Sequence, residues 1–374
     1  MTRLTAFLLA LGVLAACETG NPLEEATETT TTTTTTTDEG TTTPITSDRT
    51  LPPGTTQPTS DSSIVRYEPT SDEEGDGGGY ARNITYSNAS GEDVFSVDNL
   101  AFDGDNTYIR GGTATSQNAV GQLDDNARFR VYEADQTVTD PLTGNVIDTF
   151  TYRAIHSRST SGMTEFAIVR SGSYANYGFG GFIYQRNATD DTGAARELII
   201  PTSGDAEYLG DYAGVRIFNG AAGLNYVSGD AQVLLDFKDF NDSQTGVAVF
   251  IYNRRLFDID GNDITDAYLD AVEADASVPL VRGSDPNGNV TLSNLTPVIT
   301  PNIADTNGEI TSSIGSIYRF QDGTTAEESS GTYYGILAGE NADEIVGIAV
   351  TTGDDPRADG VTFQETGGFI VYRQ

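Results

Sequence analysis

The 374-residue chain has one cysteine, one histidine, one lysine and no tryptophan. Each scarcity removes a class of chemistry. A lone cysteine, Cys17, cannot form an internal disulfide. Catalytic triads and zinc sites need a histidine with positioned partners. The single histidine, His156, lies in Ala154-Ile155-His156-Ser157-Arg158-Ser159 and reads as a surface or hydrogen-bonded residue at a strand end. No Gly-x-Ser-x-Gly elbow and no His-Glu-x-x-His pair occurs. Positive charge is also short: 20 Lys and Arg stand against 55 Asp and Glu, a formal net charge of −35, and Lys238 is the sole lysine. Phosphate backbones and anionic lipid surfaces are repelled, so nucleic acid and basic-patch membrane binding are excluded. Long amphipathic helical patterns are missing. The acidity runs along the whole chain, as in a protein kept soluble in a salty habitat; attraction of cations or a basic partner is the alternative.

What is present begins at the N-terminus. Met1-Thr2-Arg3 precedes an apolar run from Leu4 to Ala16 that ends Leu14-Ala15-Ala16-Cys17. The run is shorter than the about 20 residues needed to span a bilayer, and it has the n-region, h-region and small-residue cut of an export signal. The pattern resembles the lipobox of bacterial lipoproteins. That resemblance implies cleavage before Cys17, a diacylglycerol on its sulfur and an acylated amino group. Two or more acyl chains anchor stably where one does not. An ordinary secretory signal with a stray thiol is the alternative, but lipidation explains why the cysteine is there and why it is alone. Glu18 follows, where Asp would signal inner-membrane retention, so the expectation is the outer membrane, with surface exposure.

Residues 17–79 are expected to be a tether. Thr29 to Thr37 are nine consecutive threonines, and Ser71-Asp72-Glu73-Glu74-Gly75-Asp76-Gly77-Gly78-Gly79 closes the stretch. Such a segment buries too little surface to offset the entropy of ordering it. A flexible chain of about 60 residues reaches roughly 40 Å or more.

The rest, with 41 Gly, 18 Tyr and 16 Phe, reads as all-β: short Val/Ile/Tyr/Phe runs separated by Gly-rich turns. A smaller β domain is expected over residues 80–187. Its strands are Phe129–Glu133, Thr149–Ile155, Glu165–Val169 and Gly178–Arg186. A polar connector follows over 188–205. A second β region over 206–374 has eight expected strands: Tyr208–Phe218, Ala231–Phe237, Gly246–Tyr252, Asn289–Leu292, Ile314–Phe320, Gly331–Leu337, Glu344–Val350 and Gly367–Arg373. Closing these into an antiparallel barrel would remove exposed edges. Gly180-Gly181-Phe182-Ile183 and Gly367-Gly368-Phe369-Ile370 echo each other, which is either chance among aromatic-rich strands or the mark of two related β units, each closed by this strand.

Gly210-Asp211-Tyr212-Ala213-Gly214, Ala231 to Phe237, Gly331-Thr332-Tyr333-Tyr334-Gly335, Ala342-Asp343-Glu344-Ile345-Val346-Gly347 and Gly367-Gly368-Phe369 resemble the barrel strands of the transferrin-binding protein B family of surface lipoproteins. Ile336 to Asn341 lengthens the family's short turn. The resemblance implies an eight-stranded barrel beside a less regular handle domain. It also implies surface display and binding of a protein or small ligand, with no contact residue identifiable.

Phe257-Asp258-Ile259-Asp260-Gly261-Asn262-Asp263 has oxygen ligands at alternate positions, so Asp258, Asp260 and Asn262 are calcium-loop candidates. Position 12 is Leu269 rather than the terminal Glu, and the same residues make a good hairpin turn. Asp103-Gly104-Asp105-Asn106 reads likewise. No other metal and no cofactor is called for. The functional expectation is a non-enzymatic binding protein of the outer membrane. Its partners are the membrane through Cys17, the lipoprotein-processing and export machinery, an outer-membrane translocator or receptor, and an unknown protein or small-solute ligand. A structural or adhesive envelope protein is one alternative. A periplasmic carboxylate-dependent hydrolase is another, since carboxylate pairs abound.

Overall fold

The computed structural model describes residues 51–54, 63–69, 81–87, 94–98, 100, 108–110, 129–134, 137–139, 142–148, 150–172, 177–240, 246–300 and 303–374. Cys17, the threonine run and the Asp103–Asn106 loop lie outside them.

The N-terminal strands are β1 (Ile64–Tyr67), β2 (Ile84–Ser87), β3 (Val94–Val97), β4 (Tyr108–Arg110), β5 (Arg130–Ala134), β6 (Thr137–Thr139), β7 (Val146–Asp148), β8 (Tyr152–Arg158), β9 (Thr164–Ser171) and β10 (Gly180–Arg186). Six form an antiparallel sheet in the order β1-β10-β9-β8-β5-β4, while β2–β3 and β6–β7 make two-stranded ribbons. One face of the sheet buries Ala154, Ala167, Val169 and Ile183 beneath Phe95 and Val97 of β3. β1 lies inside the stretch expected as tether. Its Ile-Val-Arg-Tyr sequence alternates buried and half-buried positions, a strand's period, and it pairs with β10 from Ile64↔Arg186 to Tyr67↔Ile183.

The C-terminal elements are β11 (Asp205–Asn219), β12 (Leu224–Asp236), β13 (Val247–Phe257), α1 (Thr265–Ala276), β14 (Gly283–Ser284), β15 (Val290–Thr291), β16 (Thr296–Pro297), β17 (Glu309–Arg319), β18 (Thr325–Ala338), β19 (Glu344–Asp354) and β20 (Thr362–Arg373). Eight of them form an antiparallel sheet in the order β13-β12-β11-β20-β19-β18-β17-β16. Ile251 and Leu295 exchange backbone hydrogen bonds of 3.0 and 2.9 Å across the seam, so the sheet is a nearly closed barrel. Eight strands leave an interior that side chains alone can fill.

Two sequence expectations need correction. Asn289–Leu292 is not a barrel strand: Val290–Thr291 pairs with β14, and Thr296–Pro297 is the eighth strand. The stretch expected to be loop-rich holds α1. Only Thr265, Tyr268, Leu269 and Val272 of this helix are buried, and the last three join the barrel's core. Asp263 Oδ1 accepts the Thr265 N–H at the helix start. Ser277, left-handed at φ 54°, ends it, with Pro279 just beyond.

Much of the barrel interior is apolar, with Val233, Val249, Ile310, Leu337 and Val371. It also holds an ionic layer. Arg216 Nε and Arg254 Nη2 both reach Glu365 Oε2 at 2.7 Å. Arg216 Nη2 lies 3.2 Å from Glu328 Oε1, and the Tyr212 hydroxyl donates to Glu365 Oε1 at 2.8 Å. All four charged side chains have no solvent exposure. Burial works against the Glu365 carboxylate, but Arg254 and Arg216 prevail and hold its pKa at about 2.

The barrel's outer wall packs on the free face of the six-stranded sheet. Gly367 and Gly368 let this happen. A Cβ on Gly367 would sit 2.0 Å from the Tyr212 ring inside the barrel, and one on Gly368 would sit 2.3 Å from the Phe166 ring of the sheet. Polar contacts pin the two bodies. Arg66 grips Glu309 at 2.6 and 2.8 Å, Arg170 donates to the Thr366 hydroxyl at 2.9 Å, and the Ser161 and Thr164 hydroxyls donate to Glu344 at 2.9 Å each. The glycine-led echo does not mark equivalent places. Phe182 and Tyr184 approach Tyr334 on the barrel's outer wall, whereas Phe369 and Val371 join the barrel core. Neither strand closes its sheet: β10 lies between β1 and β9, and β20 between β11 and β19.

Candidate functional site

Where the sheet and the barrel diverge, an open cleft of about 1260 Å³ remains. Tyr86, Arg130 and Arg158 line the sheet side; Asp211, Asp230 and Tyr372 line the barrel side.

Arg130 opens β5 and stands opposite His156 of β8. His156 is fully buried, with its ring 4.6 Å from Tyr86 and 5.4 Å from Phe95. Burial pushes the imidazole pKa down, so the ring stays neutral and its Nε2 contacts Glu165 at 3.3 Å. It is hydrogen-bonded, as one of the two expected roles has it, and it is not on the surface. The Arg130 guanidinium lies over Tyr86, 4.8 Å from the ring centroid. Its Nε and Nη1 have no hydrogen-bond partner. Arg158 next door is occupied, at 3.4 Å from Glu165 and 2.6 Å from Asp191.

On the barrel side Asp211 of β11 faces Asp230 of β12 in direct cross-strand register. Both point outward, because their neighbours Tyr212 and Ala231 belong to the core and a strand alternates. The β12–β13 register shifts between Ser228 and Asp230, and Asn253 adopts φ 53°. Such a bulge re-aims side chains: the Asn253 amide donates to Asp230 Oδ2 at 2.6 Å. Tyr252 joins the lining, its phenol pKa raised by burial and then by Asp230, Glu207 and Asp211. The Tyr372 hydroxyl accepts the Thr160 N–H at 3.1 Å, tying the two walls together.

The calcium-loop candidates lie elsewhere, after β13. The Asp258 carboxylate accepts the Asp260 and Asn262 N–H groups at 3.0 and 2.8 Å and the Asn262 amide at 2.9 Å. Asp260 itself is exposed. The fold uses Asp258 to cap a turn, and the same device recurs at Asp285 with Asn287 and Asn289. Among the described residues no three His, Cys, Asp or Glu side chains converge to hold a metal ion, and no helix is long and apolar enough to cross a membrane. Arg130, Asp211, Asp230, Tyr252 and Tyr372 were not singled out by any motif. Their only sequence signal is a polar or aromatic residue at the outward phase of an otherwise apolar strand.

No protein-family model matches the chain, and no curated protein matches it. Among solved structures the chain is similar to a double mutant of the vaccine antigen transferrin-binding protein B from Haemophilus parasuis Hp5, at 10% identity and a TM-score of 0.30, over 75% of this chain and 54% of that one. It is also similar to intact Ap-TbpB (N and C lobes), at 10% identity and a TM-score of 0.30, over 84% and 60%. A single mutant of the Haemophilus parasuis Hp5 antigen gives 11% identity, a TM-score of 0.30, and coverage of 84% and 59%. The chain thus spans little more than half the length of these proteins. What the cleft does has to come from its own residues.

Proposed function

We propose that the chain is a lipid-anchored binding protein of the outer membrane's exterior and that the cleft between sheet and barrel is its ligand site. The observation that carries the site is the cleft itself, with an unpaired guanidinium on one wall and two opposed carboxylates on the other. Like charges directly across a sheet weaken it, and a guanidinium without a counterion contributes little to a fold. An unpartnered guanidinium is expected where a ligand completes the set. At about 1260 Å³ the cleft exceeds the roughly 300–1,000 Å³ of sites for small molecules, so it suits a segment of a larger molecule. The lipobox-like Leu14-Ala15-Ala16-Cys17 and the threonine-rich stretch behind it support presentation on a leash. The binding reading needs no catalytic group.

Two experiments test this. Protease treatment of intact producing cells should release the folded body; full protection would place it inside. Leu209, half-buried on the cleft's barrel wall, should tolerate replacement by Trp without unfolding. Leu209→Trp should then weaken binding at least tenfold on peptide and oligosaccharide arrays probed with the full chain in detergent. Ligand binding unaffected by that bulk would remove the cleft from the account. The Asp211–Asp230 pair favours a second reading, a carboxylate-dependent hydrolase. Ligand recovered chemically intact after prolonged incubation argues against it, whereas cleavage abolished by Asp211→Asn would establish it.

A further inference from the structure

Resting on that reading of the cleft, we infer that the ligand is an oligosaccharide of low charge density, held by one carboxylate on Arg130.

Among the described residues, Arg130 is a half-buried arginine with neither an ion pair nor a hydrogen bond, in a chain where acids outnumber bases 55 to 20. Arg158, Arg186 and Arg254, by contrast, find carboxylates or carbonyls. A guanidinium presents a planar fork that matches a carboxylate. Nε and Nη1 are hidden from solvent, so the cleft offers the Nη2 end of the fork, enough for one carboxylate. A net charge of −35 repels a polyanion over long range, so the remaining units of the ligand have to be neutral.

The rest of the lining says what those units are. Tyr252 and Tyr372 are half-buried in the cleft walls and suit packing against an apolar sugar face, while the Tyr86 ring already meets Arg130 and His156. Asp211 and Asp230 offer acceptors, which suit hydroxyl donors. A peptide strand is disfavoured by topology. It docks by pairing with a free sheet edge, but β8, β11, β12 and β20 each have both edges paired, and the β2 ribbon that carries Tyr86 leaves an edge open over only four residues. The cleft is walled by sheet faces, so recognition falls to side chains.

The test uses the full chain in detergent and four probes: oligosaccharides of neutral sugars ending in glucuronate or N-acetylneuraminate, the same compounds with the carboxyl reduced to an alcohol, heparin, and a peptide array. The acidic compounds should bind at least tenfold more tightly than their reduced forms, and heparin should bind no better. Arg130→Gln should erase that tenfold difference, Arg130→Lys should keep part of it, and Arg319→Gln, on an exposed arginine outside the cleft, should leave it intact. Thermal melts verify that each variant is folded. Equal binding of acidic and reduced forms, or indifference to Arg130→Gln, overturns the inference. Binding that Leu209→Trp weakens but that is confined to peptides overturns it too, while leaving the cleft as the site. Absence of any binding sensitive to Leu209→Trp sinks the site and the inference together.

Discussion

The barrel interior and the inter-sheet cleft both carry arginines, and they use them in opposite ways. Inside the barrel Arg216 and Arg254 are sealed from solvent and share Glu365 at 2.7 Å each. In the cleft Arg130 stacks on Tyr86 and meets no carboxylate. A buried charge has to be paired, because its desolvation costs several kcal/mol. Arg130 is half-buried rather than sealed, so the side chain still meets water in part even though its Nε and Nη1 are hidden without a partner. Completeness of pairing therefore separates structure from readiness to bind, and substitutions on the two sides should behave accordingly.

The largest effect is expected at Glu365. Glu365→Gln leaves two buried guanidinium groups with Glu328 as their one carboxylate and should cost about 3–5 kcal/mol, read by urea unfolding at neutral pH. The pH dependence follows from its low pKa. A carboxyl held at about 2 rather than 4.5 adds stability that is complete above the higher value. That stability is lost as pH falls from about 4.5 to about 2. Glu365→Gln should flatten this acid limb. A variant as stable as the parent would mean that the ionic layer is dispensable and the comparison empty.

Gly368→Ala tests the surface on which the two bodies meet. Its Cβ would strike the Phe166 ring of β9, which cannot swing away from a packed face. Overpacking of this kind costs about 1–3 kcal/mol. The loss should show in thermal melts and as faster amide exchange in β9 rather than around the ionic layer. Gly367→Ala, one residue away, should disturb the barrel side through Tyr212 instead.

Asp305 reverses the sign. Burial, and then the charge of Glu309, raise its pKa to about 6 from 3.8. With the folded-state value above the unfolded one, stability falls as pH rises from about 4 through 6. In Asp305→Asn the amide oxygen can still accept the Asn307 and Glu309 N–H groups that the acid holds at 2.9 Å. The variant should gain at most about 3 kcal/mol at pH 7 and next to nothing at pH 4, measured by paired denaturant titrations.

The sequence made the barrel legible and the cleft illegible for the same physical reason. Apolar patterning is local, so Val-Leu-Leu in β12 and Ile-Val-Gly-Ile-Ala-Val in β19 announce strands without reference to anything distant. Arg130, Asp211, Asp230 and Tyr372 become neighbours only when a sheet packs on a barrel wall, and no spacing along the chain encodes that. α1 escaped notice because Thr-Asp-Ala-Tyr-Leu-Asp-Ala-Val-Glu-Ala-Asp-Ala is acidic around three apolar anchors, so its stripe is too narrow to stand out. β1 escaped because four residues amid Thr, Ser and Pro carry little pattern. The ionic layer was readable in principle. Arg216 shares strand phase with the inward Tyr208 and Tyr212, which flags a charge aimed into a core.

The smallest stability effect, and the sharpest contrast, is expected at Arg130. Arg130→Gln removes no ion pair and no hydrogen bond; what it loses is the contact with the Tyr86 face, about 0.5–1 kcal/mol when such a pair is exposed. Urea unfolding should therefore place it within about 1 kcal/mol of the parent, several-fold less than Glu365→Gln. Suppose instead that it costs as much as a barrel arginine. The guanidinium would then be holding the fold, its lack of a partner would carry no functional meaning, and the distinction between the two regions would collapse. Suppose it is stable and ligand binding falls. Then the same side chain that contributes least to folding contributes most to recognition, as expected of a charge whose counterion arrives from outside.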